Sequence, residues 1–305
     1  MRAVPRLVFS CLLALLWCGT ALGVEKVVWQ LGKQDDSVHE FAPYTFFAGS
    51  GAPGVTLDIN EGAKSWPRFH PGSGNGNVGG VPHPFTLTFK LPEAPKGVFF
   101  LNLDLLFRQP RVPTLRLEIN GHAGSFYFNP KLSSALGDED DAFNPIHSSE
   151  PRRIALPARY FRAGENRLTL TCLDEPATVT NHTIAGGPGD SGIFYDALSL
   201  TQDAEAVDDR KASVSLESTV LYRQTPQGLV EDCWLTVRFP DSWRGGKASI
   251  TVGTFKTGIE TGTSNEFGEA RYQLQIPDGT TAGVAHIELA DKAGKNRQTF
   301  TADFT

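Results

Sequence analysis

The sequence predicts an all-β protein: a jelly-roll β-sandwich followed by an immunoglobulin-like or fibronectin-like β-sandwich. Three observations predict it. Apolar residues alternate with polar ones at a period of two in segment after segment. The 31 Gly and 20 Pro are scattered, so that they punctuate short apolar runs instead of forming one flexible tract. The one helix-like stretch is a possible single turn near Ala158 to Phe161.

The elements follow in order. Arg2 and Arg6 precede an apolar run from Leu7 to Trp17, interrupted only by Ser10, and Ala21-Leu22-Gly23 follows. This is the pattern of a secretory signal peptide, residues 1–23, cleaved after Gly23. The run is shorter than the roughly 20 residues a membrane-spanning helix needs. Trp17 is too bulky for the residue before a lipoprotein cysteine at Cys18. The expected location is therefore secreted or periplasmic, with no membrane contact after cleavage. Enough chain remains for two modest domains.

Residues 26–31 open the first domain, 24–201, as a strand. Residues 85–91 alternate strictly, with Phe85, Leu87, Phe89 and Leu91 on one face. Residues 97–107 form a longer, more buried strand. Leu115, Leu117 and Ile119 share a face, and Asn120-Gly121 supplies the positive φ angles of a tight hairpin before Ser125 to Phe128 returns. Residues 166–173 and 192–200 complete a set of eight or nine strands. Trp29 reads as core. The polar stretch 202–211 reads as a linker. Seven further strands, near 212–221, 229–239, 247–252, 254–260, 269–276, 283–289 and 298–304, make the second domain, 212–305.

Loss of the two signal-peptide arginines takes the formal net charge from −6 to −8. A mildly acidic chain without basic patches argues against nucleic acid and anionic membranes as partners. Only Cys172 and Cys233 survive processing, one in each domain. They are either buried free thiols or an inter-domain disulfide.

Four segments resemble the third domain of polysaccharide lyase family 4, the rhamnogalacturonan lyases. They are Val28-Trp29-Gln30-Leu31-Gly32 with Asp35-Asp36-Ser37 and Glu40-Phe41; Leu115 to Gly121; Phe161 to Leu170, with Gly164-Glu165-Asn166; and Ile193 to Leu200, with Tyr195-Asp196. The loop Trp66 to Gly72 is similar to a version found at the front of secreted α-mannosidase-like glycosidases. The resemblance covers residues 26–201, with a vaguer match over 211–305. It implies a carbohydrate-binding-module-like jelly roll whose catalytic partner is a separate domain or protein. No segment here resembles the lyase or mannosidase catalytic domain.

The residues themselves yield no catalytic assignment. There is no Gly-x-Ser-x-Gly elbow, no nucleotide-binding glycine loop and no His-Glu-x-x-His. The seven histidines are scattered singly and form no zinc signature. Asp35, Asp36, His39 and Glu40 lie close in sequence, as an acid–base cluster or as polar groups capping turns. Asp138 to Asp141 is either part of a calcium loop or a solvated acidic loop, and Asp196 is either a calcium ligand or a strand-end residue bonding backbone amides. Calcium thus stays open as a cofactor. Asn181-His182-Thr183 is a glycosylation sequon in a eukaryotic secretory route.

Sugar recognition needs aromatic faces for C–H surfaces and planar polar groups for hydroxyls. The candidate carbohydrate-binding residues are Trp66, Phe69, His70, Arg108 and Tyr127, in or leaving loops. Trp66 has a second reading, as an anchor pinning the long Gly- and Pro-rich loop from Gly62 to Gly80. The function expected is that of a secreted, non-catalytic protein binding or positioning a polysaccharide. The alternatives are the accessory part of a lyase-like or glycosidase-like enzyme, and a structural spacer or adhesin.

Overall fold

A computed structural model describes residues 25–43, 54–74, 80–107, 114–128, 148–173, 192–208, 211–238, 243, 245–260, 266–280 and 283–304. The signal segment, Arg108, Asp138 to Asp141 and the sequon lie outside these residues. The described residues are strands and 3-10 turns, one of them Ala158–Tyr160, without an α-helix.

In the first sandwich, strands β1 (Lys26–Gly32), β5 (Val98–Phe107), β8 (Ser148–Pro157) and β10 (Gly192–Asp203) form one sheet in the order β1-β10-β5-β8, with the short β3 (Phe69–Pro71) also on β10. The facing sheet runs β7-β6-β9-β4-β2, from β2 (Val55–Asp58), β4 (Phe85–Leu91), β6 (Thr114–Ile119), β7 (His122–Phe126) and β9 (Gly164–Leu173). Between the sheets lie the alternating apolar residues, including Trp29, Leu101, Leu103, Leu117 and Leu170. The two-residue hairpin at Asn120-Gly121 has φ of 49° and 94°, and Ile119 faces His122 across it. The described residues of the first sandwich form ten strands, against the eight or nine expected. β2, β3 and β8 match no segment named from the sequence, and the closing strand β10 runs on to Asp203.

The second sandwich packs β11 (Ser213–Thr225), β12 (Gly228–Arg238) and β15 (Phe267–Pro277) against β13 (Lys247–Val252), β14 (Phe255–Glu260), β16 (Gly283–Ala290) and β17 (Arg297–Phe304). Its core is a separate cluster that includes Leu235, Ile250 and Ile287. Cys172 and Cys233 are both buried, one in each core, and no disulfide joins them.

The sandwiches share one sheet edge. β15 pairs in parallel with β7 through Phe267↔Gly124 and Gly268↔Ser125. Phe267 belongs to the first core, 5.1 Å from Tyr160 between ring centroids. Gly124 permits the approach, because a Cβ there would sit 1.9 Å from the Phe267 carbonyl oxygen. The His122 Nδ1 to Glu266 Oε2 contact of 2.5 Å closes the seam.

Candidate functional site: the polar face of the β1-β10-β5-β8 sheet

Alternation that sends Leu101, Leu103, Leu198 and Leu200 inward must send their neighbours outward. Strand register then aligns those neighbours. Gln30, Ser199, Asn102 and Arg153 stand in one row across all four strands. Ala197, Asp104 and Pro151 form the next row, and Thr201, Phe100 and Ala155 the row on the other side. Asn102 Nδ2 donates to Ser199 Oγ at 3.2 Å, and Arg153 Nη1 donates to Asn102 Oδ1 at 3.1 Å. The Arg153 guanidinium lies 3.7 Å from the Phe100 ring centroid and is paired with Glu25. Glu25 also accepts from Thr201 Oγ1 at 2.9 Å. Its carboxyl is held below the ordinary carboxylate range, chiefly by the Arg153 hydrogen bond. This face lines a groove of about 560 Å³, which adjoins a deeper hollow of about 220 Å³; Gln34, Asp104 and Pro151 line both.

A β-bulge builds the deep end. The β10 register slips between Tyr195 and Ala197, which makes Asp196 the extra residue. Its carboxylate is buried and accepts three backbone amides at 3.2 Å each: Asp35 and Ser37 on Oδ1, Asp36 on Oδ2. These bonds fix the loop after β1 as a wall of the hollow. Gly32, at φ 72°, lets that loop leave, since a Cβ would lie 2.3 Å from the Asp196 carbonyl oxygen. Burial pushes the Asp196 carboxyl above the ordinary range; the three amides oppose that shift and the Asp35 charge adds to it. Asp104 accepts from Gln34 Nε2 at 2.9 Å. Its carboxyl is also raised, by burial first and then by the Asp36 charge. Bonding to backbone amides is one of the two sequence readings of Asp196. Among the described residues no group of three or more His, Cys, Asp or Glu is placed to hold a metal ion.

Of the residues proposed from sequence, the four that are described do not gather on a surface. Trp66 is wholly buried, edge-on to Phe85 at 5.4 Å and Tyr195 at 5.6 Å between centroids. It is the anchor of its loop, stitched by Ala42 N to Trp66 O at 2.9 Å and Arg68 N to Ala42 O at 2.8 Å. His70 is buried, stacked 3.9 Å from Phe85. Its Nε2 lies 2.6 Å from the His83 carbonyl oxygen and its Nδ1 2.7 Å from the Tyr195 hydroxyl. A carbonyl only accepts, so Nε2 carries the proton and the tyrosine donates to Nδ1. Burial lowers His70 from 6.5 to about 3, which keeps the imidazole neutral. Phe69 is buried in a small cluster with Val38, Leu106 and Phe194. These three rings are withdrawn from any sugar because β3 carries the loop back onto β10. Tyr127 is half-buried at the seam between the sandwiches, with Arg271 5.4 Å from its ring centroid.

Two residues of the family-like motifs have a structural task. Asn120 Nδ2 donates to Asn166 Oδ1 at 2.8 Å, and Asn120 Oδ1 accepts from Arg167 N at 2.9 Å. Asn166, wholly buried, donates to the Arg162 and Gly164 carbonyls. The Asn-Gly and Gly-Glu-Asn motifs are two halves of one lock on adjacent strands. Sequence reasoning missed Gln30, Asn102, Asp104, Arg153 and Ser199 as a site. The available signal was polar residues at every second position of strongly apolar strands.

No family model matches the chain, and no curated protein matches it. Solved structures similar to it include a GH2 β-galacturonidase from Eisenbergiella tayi bound to galacturonate, at 14% identity over 73% of this chain and 36% of that one, TM-score 0.23. Another is a family GH115 4-O-methyl-α-glucuronidase, at 14% identity over 60% of this chain and 18% of that one, TM-score 0.25. A third is a calcium-binding mutant of β-glucuronidase 2 from Bacteroides uniformis, at 8% identity over 92% of this chain and 32% of that one, TM-score 0.25. The chain thus spans about a third or less of the length of these glycoside hydrolase chains. Agreement at this level identifies neither a family nor an activity.

Proposed function

We propose that the chain is a secreted, non-catalytic carbohydrate-binding protein of a polysaccharide-degrading system, and that its glycan lies on the polar face of the β1-β10-β5-β8 sheet. The observation that carries this reading is the row Gln30, Ser199, Asn102 and Arg153, aligned across four strands beside Phe100. Amide, hydroxyl and guanidinium groups in one row read sugar hydroxyls, and the Phe100 ring under Arg153 holds that guanidinium in place. The likeness of residues 26–201 to the third domain of rhamnogalacturonan lyases supports the substrate class. The N-terminal signal pattern supports secretion. Asp196 has both carboxylate oxygens engaged by backbone amides, so it serves the wall of the groove, not acid–base chemistry.

Few sugar rings are engaged by one shallow groove, so affinity lies on the order of micromolar to millimolar. Affinity gels containing rhamnogalacturonan or mannan, run with and without calcium, test the reading. Retardation of the chain is expected, with Asn102→Ala weakening it about tenfold while the melting temperature is kept. Retention that is indifferent to Asn102 would move the site elsewhere, and no retention on any glycan would favour a structural spacer. A downstream catalytic domain in the same gene would make this chain the accessory front of a larger enzyme.

A further inference from the structure

The groove ends at β8, the edge of this sheet among the described residues, which presents alternate residues to two sides. Arg153 faces the groove, while Arg152 lines both the groove and a second hollow of about 320 Å³ beyond the edge. That hollow lies between the sandwiches. Tyr127, Phe128 and Arg152 come from the first, and Ser215, Thr236 and Arg271 from the second.

Its geometry is fixed by Glu269 of β15, which is buried and reaches across the seam. Glu269 accepts from Tyr127 N and Arg152 Nη1 at 3.3 Å each, and from Arg238 of its own sandwich. Arg152 Nη2 donates in turn to the Tyr127 carbonyl at 2.6 Å and to Glu150 at 2.9 Å. The acids Glu150, Glu217 and Glu269 are matched by Arg152, Arg271 and Arg238, so the hollow has no strong net charge. Its guanidiniums lie over aromatic rings. Arg152 is 5.1 Å from the Phe128 centroid, and Arg271 is 4.6 Å from that of Trp234. Ser215 and Thr236, paired across β11 and β12, add two hydroxyls. Flat, hydrogen-bonding and charge-balanced surfaces of this kind suit a polyhydroxylated ligand more than an ion.

We propose that the binding site continues over Arg152 into this inter-sandwich hollow, so that the ligand is an extended oligosaccharide held by both sandwiches. The proposal rests on the reading of the sheet face as a glycan groove. Three inter-strand spacings make that groove about 14 Å wide, so only a glycan longer than this reaches Ser215 and Thr236.

Calorimetric titration of the full chain with rhamnogalacturonan and mannan oligosaccharides of graded length tests it. Affinity should climb with length past the groove. The double variant Ser215→Ala/Thr236→Val keeps volume, and should cut binding of the longest oligosaccharides about tenfold while leaving the shortest ones unchanged. Asn102→Ala should weaken every length alike. If the double variant melts normally and binds all lengths as wild type while Asn102→Ala does not, the groove reading stands and the continuation is overturned. If wild type binds no length of either glycan, the groove reading falls and the continuation falls with it.

Discussion

The loop around Trp66 and the face around Asn102 are opposites. The first has the richer sugar-like chemistry in sequence, with Trp66, Phe69 and His70 within five residues, yet the structure turns all three inward. The second is a pair of polar residues, Asn102 and Asp104, inside an apolar strand, and it is turned out to line a groove. The difference is one of constraint. A strand's outward positions follow from its inward ones. A loop's aromatic rings settle wherever they bury most area, and here β10 offers Tyr195 and Phe194 to receive them.

The sharpest break of this contrast is Trp66→Ala. Loss of a fully buried indole should cost about 3–5 kcal/mol of stability, read by urea unfolding. Specific weakening of glycan binding with stability intact would return the site to the loop.

A smaller effect comes from His70. Its folded-state value of about 3 lies below the ordinary 6.5, so between these pH values the unfolded chain binds the extra proton. Stability conferred by the neutral imidazole is therefore complete above about pH 6.5 and lost as pH falls toward 3, by a few kcal/mol in all. Urea melts at pH 7 and pH 4 should differ in that direction. The His70 imidazole resonances should stay neutral between pH 8 and pH 5, and a titration there would show the ring to be exposed.

The smallest effects sharpen the comparison within the groove. Asp196→Asn turns an NH2 group toward the Asp36 amide donor and should cost about 1–3 kcal/mol. Asp104→Asn keeps an acceptor for Gln34. Because the Asp104 carboxyl is raised in the folded state, its charged form weakens stability as pH rises through the shift. The Asn variant should thus be equal to wild type at low pH and more stable at pH 7, by less than about 1 kcal/mol. Equal destabilisation by both variants would mean that the two carboxyls share one role.

Much of the fold was legible because alternation is a local signal. Strands such as Phe85–Leu91 and the seven of the second sandwich declare themselves by it. β8 did not. It contains Pro151 and Pro157 and the adjacent Arg152 and Arg153, a composition tolerated because its one strand partner among the described residues is β5. β2 and β3 are four and three residues long, too short for a period to show. The candidate site was illegible for a different reason. Gln30, Asn102, Arg153 and Ser199 are brought into one row by register, and register between strands 50 to 170 residues apart is written in no local pattern. The Asn120–Asn166 lock shows the converse. Its two motifs were read correctly as turn and strand signals, but their partnership emerged only with the β6–β9 pairing.

The seam at Phe267 bears on how such a protein can be inherited. A residue of the second sandwich fills the core of the first, and Gly124 leaves no room for a side chain where it enters. Recombination that joined residues 24–211 to a different downstream module would strip that plug and leave Tyr160 and Phe126 facing an open socket. A boundary drawn between the two sandwiches for expression therefore cuts through a core and not through a tether.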